Sequence, residues 1–251
     1  IDPPPPHGYA LRFDGNGVND IDRVKIAIDD PANSNPGPPA DVGATDFTLE
    51  MWLKALPGEN DSAAQICGNN TNWFYGNQLL DRDRFRQGRR FGIALAGGKL
   101  IWGATGDYGD NLTLCGTSKL DDGLWHHVAV QRRISDGYLW LYVDGHLDAS
   151  GDGPDGDISY PDDGVAGDYC GASRAEPCVN DPYLVLGAEK HSYDNSQYPS
   201  FSGWMDEFRI STALRYTADF IAPFDPFLPD AATAALYHFD EGIGTVVSDS
   251  S

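Results

Sequence analysis

The chain's 251 residues can bury one substantial core, and no apolar run approaches the roughly 18 residues of a membrane-spanning helix. Its 38 acidic residues against 17 basic ones give a net charge of −21, which repels phosphate backbones and excludes nucleic acid as a partner. The acid is 32 Asp to six Glu, a bias that suits loop turns and the hard oxygen ligation of Ca²⁺.

In chain order, residues 1–7, "IDPPPPH", form a stiff Pro-rich leader. No charged-then-apolar segment opens the sequence, so any signal peptide is expected to have been removed or to lie outside it. "YALRF" is the first strand candidate, and "PANSNPGPPADVGAT" is a Pro/Gly-rich loop before the first strong one. That strand, "DFTLEMWLKA", puts Phe47, Leu49, Met51 and Leu53 on one face and Thr48, Glu50, Trp52 and Lys54 on the other. "AAQIC", "RFGIAL" and "KLIWGA" continue the rhythm. "LWHHVAVQRR" sets His126, Val128 and Val130 opposite Trp125, His127 and Ala129, and "YLWLYVDG" sets Leu139, Leu141 and Val143 opposite Trp140, Tyr142 and Asp144. Residues 149–181, dense in Gly, Asp and Pro, read as a long surface insertion. "PYLVLG", "GWMDEFRI" and "TAALYHF" are the last strand candidates, and "STALRYTADF" is the one short helical candidate. About ten short strands separated by Gly, Asp and Pro predict an all-β fold, a two-sheet antiparallel jelly-roll sandwich.

Four cysteines, Cys67, Cys115, Cys170 and Cys178, form no CxxC pair. Their even number and loop-like settings predict two disulfides and an oxidising, extracellular or cell-surface location. Three pairings are open. Cys170–Cys178 closes a short loop and is preferred, which leaves Cys67–Cys115. Zinc suits them less, because no histidine stands beside them at ligand spacing.

Taken together, "GYALRFDGNGVNDI", "FTLEMWLKA", "DGLWHHVAVQR", "LWLYVDGHL" and "GWMDEFRISTALRY" resemble the laminin-G-like jelly-roll modules of the concanavalin A-like lectin/glucanase superfamily, which also holds the pentraxins. The likeness covers most of residues 8–228, in the family's order, and implies two curved antiparallel sheets. Residues 229–251 resemble the segment that opens such modules in bacterial multidomain proteins. Either they complete this module's own sheet, the preferred reading, or they open a next module in a tandem array.

Within "GWMDEFRI", Trp204, Phe208 and Ile210 recur at period two, which puts Asp206 on the side of Phe208 with Glu207 and Arg209 opposite. A carboxylate on an apolar face is tolerable when a cation offsets its desolvation. In related jelly rolls an aspartate at this place helps hold a structural calcium with an N-terminal loop that resembles "FDGNGVND". The resemblance thus implies Ca²⁺ at Asp206 with Asp14 and the Gly15 carbonyl, helped by Asp20 or Asn16. Likewise "LVLGAEKHSYDN" resembles the pentraxin stretch that supplies calcium ligands. It implies a second, weaker site at Glu189 with Asp81 or Asp83, although His191 stands where an aspartate is expected and imidazole is a poor calcium ligand.

Two aromatic groups are candidate ligand contacts. Trp52, Trp140 and Tyr142 share a strand face with His127 and Glu50 and would form a platform for sugar rings if that face were open; covered by loops, they would be a secondary core. Trp73, Phe74 and Tyr75 lie in the loop "NNTNWFYGNQ". Catalytic signals are absent. The superfamily's glucanases carry an E-x-D-x-E strand, and this chain has none. His126 and His127, within an apolar strand, read as structural, and neither G-x-S-x-G nor H-E-x-x-H occurs. The expectation is a non-enzymatic, calcium-stabilised extracellular binding module whose partner is a glycan. Its alternatives are an adhesive subunit contacting protein or copies of itself, and a glycan-cleaving enzyme with an unfamiliar carboxylate pair.

Overall fold

The computed structural model describes residues 8–15, 22–30, 33–84, 88–107, 109–162, 182–191 and 196–251. Alternating side chains build two stacked antiparallel sheets. The first runs β1 (Leu11–Asp14), β12 (Ser202–Ser211), β3 (Phe47–Lys54), β8 (Trp125–Arg132), β9 (Tyr138–Val143) and β10 (His146–Asp152), with β13 (Thr233–Tyr237) also on β12. The second runs β2 (Val24–Ala27), β11 (Tyr183–Leu186), β4 (Asn77–Arg82), β5 (Arg90–Ala96), β6 (Lys99–Thr105) and β7 (Asn111–Lys119). This is the jelly-roll sandwich expected from the alternation.

The inner faces carry the residues whose period predicted them. Phe47, Leu49, Met51 and Leu53 of β3 are fully buried, as are Leu139 and Leu141 of β9. Phe47 meets Phe91 and Trp102 of the opposite sheet at ring-centroid distances of 5.2 and 6.2 Å, so the sheets interlock through aromatic edges. Cys67 and Cys115 form a disulfide that ties the loop before β4 to β7. The Cys170–Cys178 pairing lies outside the described residues.

Three local expectations change. "AAQIC" is not a strand; its last residue is instead held by that disulfide. "STALRYTADF" is not a helix, because the Gln131 side-chain carbonyl takes the N–H groups of Arg215 (2.7 Å) and Tyr216 (2.8 Å) that a helix would use internally. Residues 149–152, assigned to the insertion, complete β10.

A further change concerns Asp206. Along β12, Asp206 pairs with Trp52 and Arg209 with Glu50, so two residues, Glu207 and Phe208, oppose one on β3. Glu207 takes the left-handed conformation (φ 53°) that this β-bulge needs. The bulge shifts the faces. Met205, Phe208 and Ile210 point into the core, while Trp204 joins the apolar layer on the other side. Asp206, the register partner of Trp52, shares that outer side and does not point at the core. β1 pairs with residues 202–205 and β13 with 208–211, so both chain ends share one edge of β12, on either side of the bulge.

Candidate functional site

The outer face of the second sheet begins with two glycines. Gly92 of β5 and Gly103 of β6 leave a flat patch on which the Trp73 indole lies, and a Cβ at either would run into that ring. Trp73 belongs to a 3₁₀ turn, Asn72–Tyr75, and is fully buried, so it is an anchor and not the exposed contact its loop setting suggested. Phe74 stacks on it at 3.9 Å between ring centroids. Tyr75, 42% exposed, stacks with Tyr198 and is the open end of the group.

Arg90 joins this turn to a cluster of acids. Its guanidinium sits 5.0 Å from the centre of the Phe74 ring and 3.3 Å from Asp83 Oδ1. On β4, Leu80 faces the core, so Asp81 faces out, and the loop after β11 folds over it. Lys190 N–H (2.9 Å) and Asp83 N–H (2.8 Å) donate to its two oxygens. Asp81, Glu189 and His191 each bring a ligand atom to within 4.8 Å of the others. His191 Nδ1 lies 3.3 Å from Asp83 Oδ2 and 3.6 Å from Glu189 Oε1. Burial, then the charges of Glu189 and Asp83, push the Asp81 carboxyl up to about 7. Burial acts upward on Asp83 too, but the hydrogen bond and charge of His191, with Arg90, hold it low. A buried carboxyl raised by two neighbouring carboxylates, as Asp81 is, is one that a divalent cation would relieve, and the oxygens of Asp81 and Glu189 are of the kind that fits calcium. His191 fits a hydrogen-bonding role toward Asp83 better than ligation.

The other expected residues lie elsewhere. Ser202 is the partner of Asp14, four positions along β12 from Asp206, or about 13 Å at strand rise. Asp14 is exposed and ion-pairs with Arg12 at 3.5 Å, while Gly15 packs beside Ser202. Asp206 is buried; one oxygen accepts the Glu207 N–H at 2.9 Å, and the other has no partner among the described residues. The Asp206–Asp14–Gly15 set therefore does not assemble, because the register spaces its members out along the strand. Asn16 and Asp20 lie outside the described residues.

The outer face of the first sheet is closed. Residues 212–229 cross it, placing Tyr216, Phe220 and Phe227 around His127 and Tyr142. Trp52 and Tyr142 are buried and Trp140 is half-buried against Arg133, so the expected sugar platform is a secondary core. Beneath the cover, Glu50 accepts two hydrogen bonds from Arg209 (2.7 and 2.8 Å) and one from the Tyr216 hydroxyl (2.5 Å). Burial would raise its carboxyl, but His127, Arg209 and Tyr216 hold it down to about 2. The roles of Arg90 and Tyr198, and the covering of this face by residues 212–229, were not foreseen from the sequence, which carries no local signal for contacts made across strands.

Residues 29–183 match the family Laminin_G_3, described as the concanavalin A-like lectin/glucanases superfamily, over more than half of the chain. The chain belongs to this family. No curated protein matches it in sequence. Among solved structures it is similar to a candidate carbohydrate-binding protein from Bacteroides ovatus (16% identity, 83% of this chain and 50% of that one, TM-score 0.50). It is also similar to domains LG4–5 of the mouse laminin α1 chain (14% identity, 88% and 47%, TM-score 0.49). A third is a heptameric SAP-like pentraxin from Limulus polyphemus (11% identity, 82% and 76%, TM-score 0.47). The chain thus spans about half the length of the first and second of these. Membership in the laminin-G family fixes the superfold, on which binding modules and glucanases both occur.

Proposed function

We propose that this laminin-G-family chain is an extracellular carbohydrate-binding module, not an enzyme, with its recognition face on the outside of the second sheet. The observation that carries the reading is the link made by Arg90 between the Asp81–Glu189–His191 cluster and the Phe74–Tyr75 turn. Calcium held by the buried carboxylates would fix the loop after β11 against β4, beside an aromatic surface for the apolar side of a sugar ring. The non-enzymatic reading is supported by Glu50, which is shut under Tyr216 and neutralised by Arg209, out of reach of a substrate. The disulfide supports an oxidising setting.

The test is a glycan titration with calcium present. Tyr75→Ala and Glu189→Gln should each weaken binding several-fold, and chelator should mimic Glu189→Gln. Undiminished binding by both variants would remove the recognition face from this sheet. A second reading, a self-associating adhesive subunit, is favoured by Ile243 and Val246, which are 91% and 75% exposed on the C-terminal segment. Light scattering that shows regular polymers would favour it.

A further inference from the structure

Two arginines enter the core from facing sheets. On β4, Leu80 faces the core and Asp81 faces out, so Arg82 faces in again; on β8, Arg132 follows the inward period of Val128 and Val130. Arg82 is the register partner of Phe91, and Arg132 is that of Phe47. The Phe47 and Phe91 rings meet across the sandwich, so both guanidiniums come to one end of its interior. Arg82 is 1% exposed and Arg132 0%. The loop after β10 closes over them. Arg82 Nη2–H donates to the Ile158 carbonyl, and Arg132 Nη2–H donates to the carbonyls of Pro154 and Gly156, each at 2.6 Å. Ile158 and Tyr160, themselves buried in the core, complete the seal.

This pair is short of both acceptors and counter-charge. The Nε and Nη1 nitrogens of both guanidiniums are buried with no acceptor among the described residues. Neither arginine forms an ion pair among those residues, whereas Arg12, Arg89, Arg90, Arg133, Arg209 and Arg215 each do. The carboxylates whose charge reaches them are Asp41, Asp83 and Asp157 for Arg82, and Asp157, Asp155 and Asp46 for Arg132. Asp83 and Asp157 already pair with Arg90 and Arg89. Burial pushes the Asp41 carboxyl up to about 7 against the pull of Arg82, so it is only partly ionised at neutral pH. Arginine keeps its proton even where burial disfavours its charge, and the interior therefore carries two cations.

We infer that a chloride ion is bound between Arg82 and Arg132, inside this end of the sandwich. Water would accept from the free N–H groups but leave two like charges uncompensated in a medium of low polarity. A small anion meets both needs, since it accepts several N–H bonds at once and carries the missing charge. The closure by Ile158 and Tyr160 favours a monatomic ion over phosphate or a sugar acid. Held there, chloride ties the ends of β4 and β8 to the loop that seals them. The site is separate from the proposed carbohydrate face, and its test does not depend on that reading.

Two measurements on the full chain test this. Crystals grown in sodium bromide should show an anomalous-scattering peak between the two guanidiniums. In thermal unfolding at constant ionic strength, replacing gluconate by chloride should raise the midpoint, by roughly 3–6 °C for each tenfold rise in chloride above the dissociation constant. Arg132→Met should lose that dependence; if the variant does not fold, the bromide crystal decides. Water alone between the guanidiniums, or bromide on the surface as an adventitious ion only, would overturn the inference. So would a wild-type midpoint indifferent to chloride, or a dependence kept in full by Arg132→Met.

Discussion

Glu50 and Asp206 are both buried carboxyls on the outer side of the first sheet, and their surroundings drive them in opposite directions. Glu50 has Arg209 against it, so Glu50→Ala would strand a buried guanidinium and should cost about 3–5 kcal/mol in urea unfolding. Its depressed carboxyl contributes stability above its ordinary value of 4.5, a contribution lost as pH falls toward about 2. Asp206 has no cationic side chain acting on it among the described residues. Burial first, then Glu207 and Asp240, push it from 3.8 up to about 8. The folded chain therefore keeps a proton that the unfolded chain releases, and this contribution is full below 3.8 and lost as pH rises toward 8. Asp206→Asn should flatten that decline, leaving the variant more stable than wild type at pH 8 and little changed at pH 4. Parallel stability profiles for the two proteins would show that Asp206 does not hold its proton.

At the scale of elements, close backbone approaches and cross-links set the second sheet's outer face. Gly103→Ala would drive a methyl into the Trp73 indole over a flat β6, and should cost about 1–3 kcal/mol with loss of near-ultraviolet aromatic signal. The Cys67–Cys115 bond closes a loop of separation 48, so Cys67→Ala with Cys115→Ala should lower unfolding free energy by about 2–4 kcal/mol. The same elements show what sequence could reveal. β3, β8 and β9 were legible because their apolar period is unbroken over their length. The Asp206–Glu207 bulge was not, since one extra residue reverses every later face while leaving composition untouched. β2 and β4 were passed over, being short or interrupted by polar residues such as Asn77, Gln78 and Asp81.

For the whole molecule, the sandwich has two outer faces with different fates. Residues 212–229 seal most of one, burying the Trp52–Tyr142 layer and leaving a cleft at its end. The other keeps an aromatic turn and a buried acid cluster side by side. Part of that site was indicated in advance: the resemblance to the pentraxin stretch pointed to Glu189 with Asp81 or Asp83, and the loop setting of Trp73, Phe74 and Tyr75 pointed to the aromatics. Their juxtaposition through Arg90 was not readable, because it depends on β4 lying beside β5 and on the loop after β11 folding back over both. The outer face of the second sheet is the recognition surface proposed for the chain, and the claim that it reads sugars is tested most directly by a glycan array of the purified chain, with calcium and with chelator. The account predicts binding to one related group of glycans that chelator weakens; no binding to any glycan in either condition would contradict it.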